Sequence, residues 1–298
     1  MTDFNRLDSN NIQVNKSDVC LLVAVRDNEL LLPYFFEHYR KIGVGRFFIV
    51  DNMSSDGTID FLVKQKDTYI FQTDEPYRVE GMRVKENHNK WLNQICKYVY
   101  GNWCVVVDSD EFLIYPDYEN INVKDLATYL DNEKSSCLKT TNIDMYSKYS
   151  VKDTILEIGQ NPLEILEYFD FPLNNHHPRL RILPHRKKAG GKLGKISFLK
   201  VDSETHIQPG HHNVIPCKPS ETVTGGTFHF KLDSSYIPHL IEACERKVYW
   251  HQSQFKSRIL ARFKKNPDLS FYDKEVSIKY IDSKQLVDLG IMAWHGGY

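Results

Sequence analysis

The sequence predicts an α/β protein built on a mostly parallel central sheet, and three observations carry that expectation. Val19 to Val25 and Arg46 to Val50 are apolar runs too short for helices, and between them Pro33 to Gly43 sets Phe35, Phe36, Tyr39 and Ile42 on one helical face. Strand, helix, strand in that order is the pattern of a right-handed parallel pair. Second, Trp103 to Val107 is apolar and runs straight into Asp108-Ser109-Asp110-Glu111-Phe112, so a buried strand ends abruptly in an acidic tip. Third, 298 residues with 41% apolar and 26% charged content is the make-up of a globular chain long enough to bury a substantial core.

Lys plus Arg number 38 against 39 Asp plus Glu, so no overall field draws the chain to nucleic acid or to an anionic membrane. Any anionic ligand must be held by local basic groups. The six cysteines are scattered without a Cys-x-x-Cys pair, and Cys20 and Cys104 lie inside apolar runs, the usage of a reducing compartment. Met1 to Asp18 is polar and lacks a signal pattern, and no window approaches the ~18 apolar residues of a membrane span. These features together predict a cytoplasmic protein, free or peripheral at the inner face of the membrane.

Along the chain, Arg26-Asp27-Asn28-Glu29 follows the first strand, with Pro33 tolerable in the first helical turn and Gly43 as terminator. The second strand ends in Asp51-Asn52-Met53-Ser54-Ser55-Asp56-Gly57-Thr58, a turn-forming cluster ahead of a helix from Ile59 to Gln65. Ordinary turn and cap roles account well for Asp56, Gly57 and Thr58. They account less well for Asp51, which ends its strand at the same sheet edge as Asp108. Tyr69 to Gln72 reads as a third strand, and Val84 to Tyr100 as a helix with Trp91, Leu92, Ile95, Cys96 and Val99 inward. Arg78, Arg83 and Lys85, which precede or open that helix, are either a solvated face or a set that neutralises a diphosphate.

Beyond Pro116, Val123 to Leu130 reads as helix and Ser136 to Asn142 as strand. Asn174 to His185 concentrates His and Arg, and Arg186 to Lys195 is a basic, glycine-rich loop. Such a loop is either a mobile surface segment or a lid over a phosphate-bearing ligand, which makes Lys195 a candidate contact. His206, His211 and His212 lack the closed zinc-ligand spacing of structural sites. His229 alternates with Phe228 and Phe230 on a strand-like stretch and faces opposite to them. Ser235 to Trp250 and Ser253 to Lys265 read as helices. The tail carries Leu286, Leu289, Ile291, Met292 and Trp294, which suits a docking helix or a contact with a membrane or partner.

The acidic tip carries the chemistry. Three carboxylates in four positions repel one another unless something positive lies between them, and a hard divalent cation with a phosphate on its far side meets that need. A strand followed by an acidic turn is the plain alternative. In open α/β sheets, ligands bind at this edge.

In order and spacing, Arg26-Asp27-Asn28-Glu29, the helix after it, Asp51 to Thr58, Asp108-Ser109-Asp110-Glu111-Phe112 and Phe228-His229-Phe230 resemble the motifs of family 2-like glycosyltransferases of the GT-A fold. The nearest branch has an Asp-x-Asp-Glu-Phe motif and a later His-Phe or His-Tyr. The match covers residues 19 to 116 and thins to the stretch around His229. The resemblance implies a GT-A type Rossmann-like sandwich over 19–232, with a nucleotide-sugar-binding half at 19–116 and an acceptor half at 117–232. A polar segment at 1–18 precedes it, and a helical extension at 233–298 follows.

It further implies a nucleotide-sugar donor, with UDP the nucleotide it favours, a Mn²⁺ or Mg²⁺ cofactor, and transfer with inversion to a glycan or glycolipid acceptor, as in surface polysaccharide synthesis. Asp51 then binds base or ribose, Asp108 ribose or metal, Asp110 metal and diphosphate, and His229 metal. Arg26, Asn28, Glu29, Arg83 and Lys195 fall on the donor side. Inversion needs a base, for which Glu111 and Asp144 are the candidates, with Glu204 behind them; Glu111 equally suits a brace for the loop. The stretch from Ile143 to Pro219 matches no pattern of the family, which leaves the acceptor site open. Two further readings stand beside this one: Mg²⁺-dependent nucleotidyl or phosphoryl transfer, weakened by the lack of a Walker-type glycine-lysine loop, and a nucleotide-sugar-binding module without turnover.

Overall fold

The structure is a computed structural model and describes residues 2–77, 87–173, 178–183, 193–246 and 254–295. Its strands are β1 (Asn5–Arg6), β2 (Cys20–Val25), β3 (Arg46–Asp51), β4 (Thr68–Gln72), β5 (Trp103–Val106), β6 (Glu111–Ile114), β7 (Cys137–Tyr146), β8 (Tyr168–Asp170), β9 (Gly194–Lys200), β10 (His206–Ile207), β11 (Val214–Ile215), β12 (Gly225–Leu232) and β13 (Ser277–Lys279). The helices are α1 (Leu32–Lys41), α2 (Thr58–Leu62), α3 (Asn87–Ile95), α4 (Val123–Asn132), α5 (Pro178–Arg181), α6 (Tyr236–Arg246), α7 (Gln254–Lys265) and α8 (Ser283–Asp288).

All strands but β10 and β11 join one mixed sheet in the order β1-β4-β3-β2-β5-β9-β7-β12-β6, with β8 beside β7 and β13 beside β8. The strands β4, β3, β2, β5, β7 and β12 run the same way, while β9 is inserted antiparallel between β5 and β7. The expected α/β class with a mostly parallel sheet is therefore present. Strand order reverses between β2 and β5, so their carboxyl ends flank the crevice where open α/β sheets take their ligands.

Why β2, β3 and β5 read as unbroken apolar runs is plain from their two faces. Leu21, Val23, Phe47, Ile49 and Val105 enter a core under α1 and α4, whereas Cys20, Leu22, Phe48, Val50, Cys104 and Val106 enter a second core under α3. Both faces are covered, and alternation disappears. A third cluster joins α6 and α7 through Tyr236, Leu240, Ile259 and Phe263.

Both chain ends are stitched to this sheet, since β1 pairs with β4 and β13 with β8. Leu286 and Met292 are buried in the first core, and Trp294 packs on Tyr129 with ring centroids 5.3 Å apart. Leu286 and Met292 of the apolar tail thus belong to the chain's own core, with Leu289, Ile291 and Trp294 partly buried against it. Among the described residues, no helix is long and apolar enough to cross a membrane.

One expectation is corrected. Cys137 and Cys217 form a disulfide with Cα atoms 6.0 Å apart and 80 positions between them in sequence. Ser136 N–H donates to Lys218 O at 2.8 Å and Ser220 N–H to Cys137 O at 3.1 Å, so the segment after β11 lies along the start of β7. Cysteine spacing contains no sign of that approach, which is why the usage read as wholly reduced.

Candidate active site at the carboxyl edge of the sheet

Strand register assembles the site. His229 on β12 lies opposite Asp144 of the parallel neighbour β7 and opposite Glu111 of the antiparallel neighbour β6. The backbone of Phe230 donates to Asp110 O at 2.9 Å, which ties the acidic turn to the same strand. Because β9 runs antiparallel to β5, its first residues stand beside the carboxyl end of β5 and bring Lys195 to Asp108.

His229 is buried, and its Nδ1 meets Asp144 Oδ1 at 2.5 Å. A carboxylate can only accept here, so Nδ1 carries a hydrogen and Nε2 points away from Asp144. Nε2 stands 3.3 Å from Asp110 Oδ2. Asp144 is in turn gripped by Arg179, whose Nε donates to Oδ2 at 2.9 Å and whose other nitrogen donates to Oδ1 at 3.2 Å. An imidazole oriented through one nitrogen by a held carboxylate, with the other nitrogen aimed at a second carboxylate, is the usual build of a histidine metal ligand.

Asp110 is a quarter exposed, and Lys231 Nζ lies 3.0 Å from the same Oδ2. Burial alone would raise the Asp110 carboxyl, but Lys231 and His229 hold it well below the usual carboxylate range. Asp110, Glu111 and His229 each offer a ligand atom within 4.8 Å of the others. The Asp110–His229 separation suits adjacent positions around an ion that holds its ligands at about 2.1 Å. The residues therefore fit a divalent cation, which would compete with Lys231 for Oδ2.

Glu111 is 1% exposed and fully engaged. Its carboxylate takes hydrogen bonds from Lys195 and from Asn142 Nδ2 at 2.7 Å, while Asp108 N–H donates to Oε2 at 3.3 Å. Lys195 also donates to Asp108 Oδ2 at 3.1 Å. The positive group expected between crowded carboxylates is, at Asp108 and Glu111, this buried lysine. Burial opposes its charge, yet the two carboxylates raise its pKa. Asp108 itself is 40% exposed at its side chain; burial would raise its pKa, but Lys195, His211 and His88 together hold it below the usual carboxylate range.

The two aspartates of the acidic tip fall into different groups. Asp110 goes with Glu111 and His229, whereas Asp108 goes with His88 and His211. The expected trio of Asp108, Asp110 and His229 is not a single ligand set among the described residues.

The remaining predicted residues brace the edge. Arg26 donates to Asn52 O at 2.7 Å, Asn28 Nδ2 to Ser109 O at 3.0 Å, and Gly57 N–H to Glu29 Oε2 at 3.2 Å. Asp51 is fully buried and accepts from Gln72 Nε2 at 2.9 Å and from Ser54 N–H at 3.3 Å. These contacts knit the loops after β2, β3 and β5 together. Arg83, with Arg78, Lys85 and the loop from 184 to 192, lies outside the described residues. Not singled out in the sequence were Arg179, Lys231, Asn142 and His88; for Lys231 the signal was its place two positions after His229 on one strand face.

No family model and no curated protein matches this chain. Solved structures similar to it include glucosyl-3-phosphoglycerate synthase from Mycobacterium tuberculosis in complex with Mn²⁺, UDP and glucosyl-3-phosphoglycerate, at 14% identity and TM-score 0.28 over 43% of this chain and 44% of that one. The same enzyme with Mn²⁺, UDP and phosphoglyceric acid aligns at 11% identity and TM-score 0.28 over 43% of each chain. UDP-glucose pyrophosphorylase complexed with UDP-glucose aligns at 10% identity and TM-score 0.29 over 84% of this chain and 88% of that one. The chain thus spans less than half the length of the synthase.

Proposed function

We propose that this protein is a metal-dependent GT-A type glycosyltransferase that moves a sugar, with inversion, from a nucleoside-diphosphate sugar, UDP-sugar first among them, to a glycan or glycolipid hydroxyl. The observation that carries the reading is the buried His229, turned by Asp144 so that Nε2 faces Asp110 Oδ2 at 3.3 Å on the carboxyl edge of the sheet. Asp110 and His229 hold Mn²⁺ or Mg²⁺. When bound, such an ion supplies Lewis acidity that stabilises the charge growing on a departing diphosphate.

The chain's own groups do the rest. Lys231, beside Asp110, adds positive charge on the same side of the site, and Arg179 holds Asp144 in place. Asp144 and Glu111, the two candidates for the base, are better assigned as positioning groups. Each is buried and already saturated by charged or amide donors, so neither is poised to take a proton from an acceptor hydroxyl. Glu111 closes the turn from Asp108 and anchors Lys195, the bracing role.

Turnover of a panel of UDP- and GDP-sugars by the full chain, with and without Mn²⁺, tests the proposal. Metal-dependent release of the nucleoside diphosphate is expected, and its loss in Asp110→Ala with an unchanged circular dichroism spectrum. Release of pyrophosphate instead would point to nucleotidyl transfer, and donor binding without turnover to a binding module.

A further inference from the structure

A second cluster lies on the other side of Lys195, and it is independent of the transferase reading. His88 is on the first turn of α3, His211 ends the turn Pro209–His211, and Asp108 follows β5. Ligand atoms from the three lie within 4.8 Å of one another. Neither ring nitrogen of His211 has a hydrogen-bond partner among the described residues, although the side chain is 0% exposed. A buried imidazole whose two nitrogens are both unsatisfied carries an uncompensated desolvation cost, so its retention asks for an occupant.

The setting is built rather than incidental. Asn89 Nδ2 donates to Gln208 O at 2.8 Å, Asn93 Nδ2 donates to Ile207 O at 2.9 Å, and Ile207 N–H donates to Asn93 Oδ1 at 2.8 Å. Those bonds staple α3 to the segment that ends in His211. Tyr77 stacks on the His88 ring at 4.7 Å, and the His88 and His211 rings meet edge-on at 5.6 Å. Around Lys195, two carboxylates face one ammonium, which leaves negative charge for a cation.

We propose that His88, Asp108 and His211 bind a divalent first-row transition-metal ion, distinct from the ion assigned to Asp110 and His229. Two imidazole nitrogens and one carboxylate suit Zn²⁺, Mn²⁺, Fe²⁺ or Co²⁺ rather than Ca²⁺, and three protein ligands leave a position open for water or a ligand oxygen.

The test uses the full chain stripped with chelator and titrated with Co²⁺, read by visible absorption and calorimetry. One equivalent is expected to survive in His229→Gln. In His88→Gln and in His211→Asn that equivalent should weaken by more than the roughly 10–100-fold that follows loss of an outer-shell partner. Anomalous diffraction from cobalt-soaked crystals of the unmodified chain should place an ion between His88 and His211, a readout that holds even if a variant misfolds. No ion there, or Co²⁺ binding unchanged in both histidine variants, overturns the proposal. Failure at this site with an ion still seen at Asp110 and His229 leaves the transferase reading intact.

Discussion

Asp144 sets the tautomer of His229 without being placed to touch a donor itself. Asp144→Asn keeps the size of the side chain but lets its amide offer a hydrogen where the carboxylate accepted one. Mn²⁺ affinity should then fall by about 10–100-fold, measured by calorimetry beside a melting curve that shows the fold retained. Unaltered affinity would remove Asp144 from the positioning role. Lys195 makes a different kind of contribution, as a buried ammonium between two carboxylates. Lys195→Met should destabilise the chain by about 3–5 kcal/mol in a denaturant titration, because it strands a buried charge. Adding Glu111→Gln should recover part of that loss.

Elements bring these residues together, and glycines show how tightly. A Cβ at Gly225 of β12 would stand 2.6 Å from the backbone oxygen of Ile114 and 3.0 Å from Leu138 Cδ2, so β6 and β7 would have to part. Gly225→Ala should cost about 3 kcal/mol. At Gly57 the new Cβ meets only the end of the Glu29 side chain, at 2.1 Å, which can swing away. Gly57→Ala should cost about 1 kcal/mol, the hydrogen bond between the two loops. Equal losses would contradict the packing described. On α1, His38 donates from Nε2 to Leu113 O of β6 at 2.9 Å, and burial lowers its pKa from 6.5 to about 4. The folded value lies below the unfolded one, so its contribution is fully present above pH 6.5 and is lost as pH falls towards 4. On the order of 3 kcal/mol is at stake, and His38→Gln should flatten the stability profile in that window.

For the molecule as a whole, what could be read in the sequence divides along a physical line. Strands buried on both faces write themselves as apolar runs, so β2, β3 and β5 and the acidic tip were legible. The strand β9 was not, because Gly194 and Lys195 continue a basic, glycine-rich run and mask the strand that starts there. Neither could spacing reveal that β12 and β7 run parallel in a register that sets His229 beside Asp144, since the two residues are 85 positions apart. The division of Asp108 from Asp110 has the same origin: Lys195 and the two histidines arrive from β9, α3 and the turn after β10. Motif order thus located the edge, and sheet topology decided how its side chains are paired.

The central claim is that Asp110 and His229 share one ion at that edge. Crystals of the full chain grown with Mn²⁺ and UDP, with data collected at the manganese absorption edge, test it directly. We expect an anomalous peak coordinated by Asp110 and His229 Nε2 with the diphosphate beside it; bound UDP with no manganese between those two side chains would contradict the account.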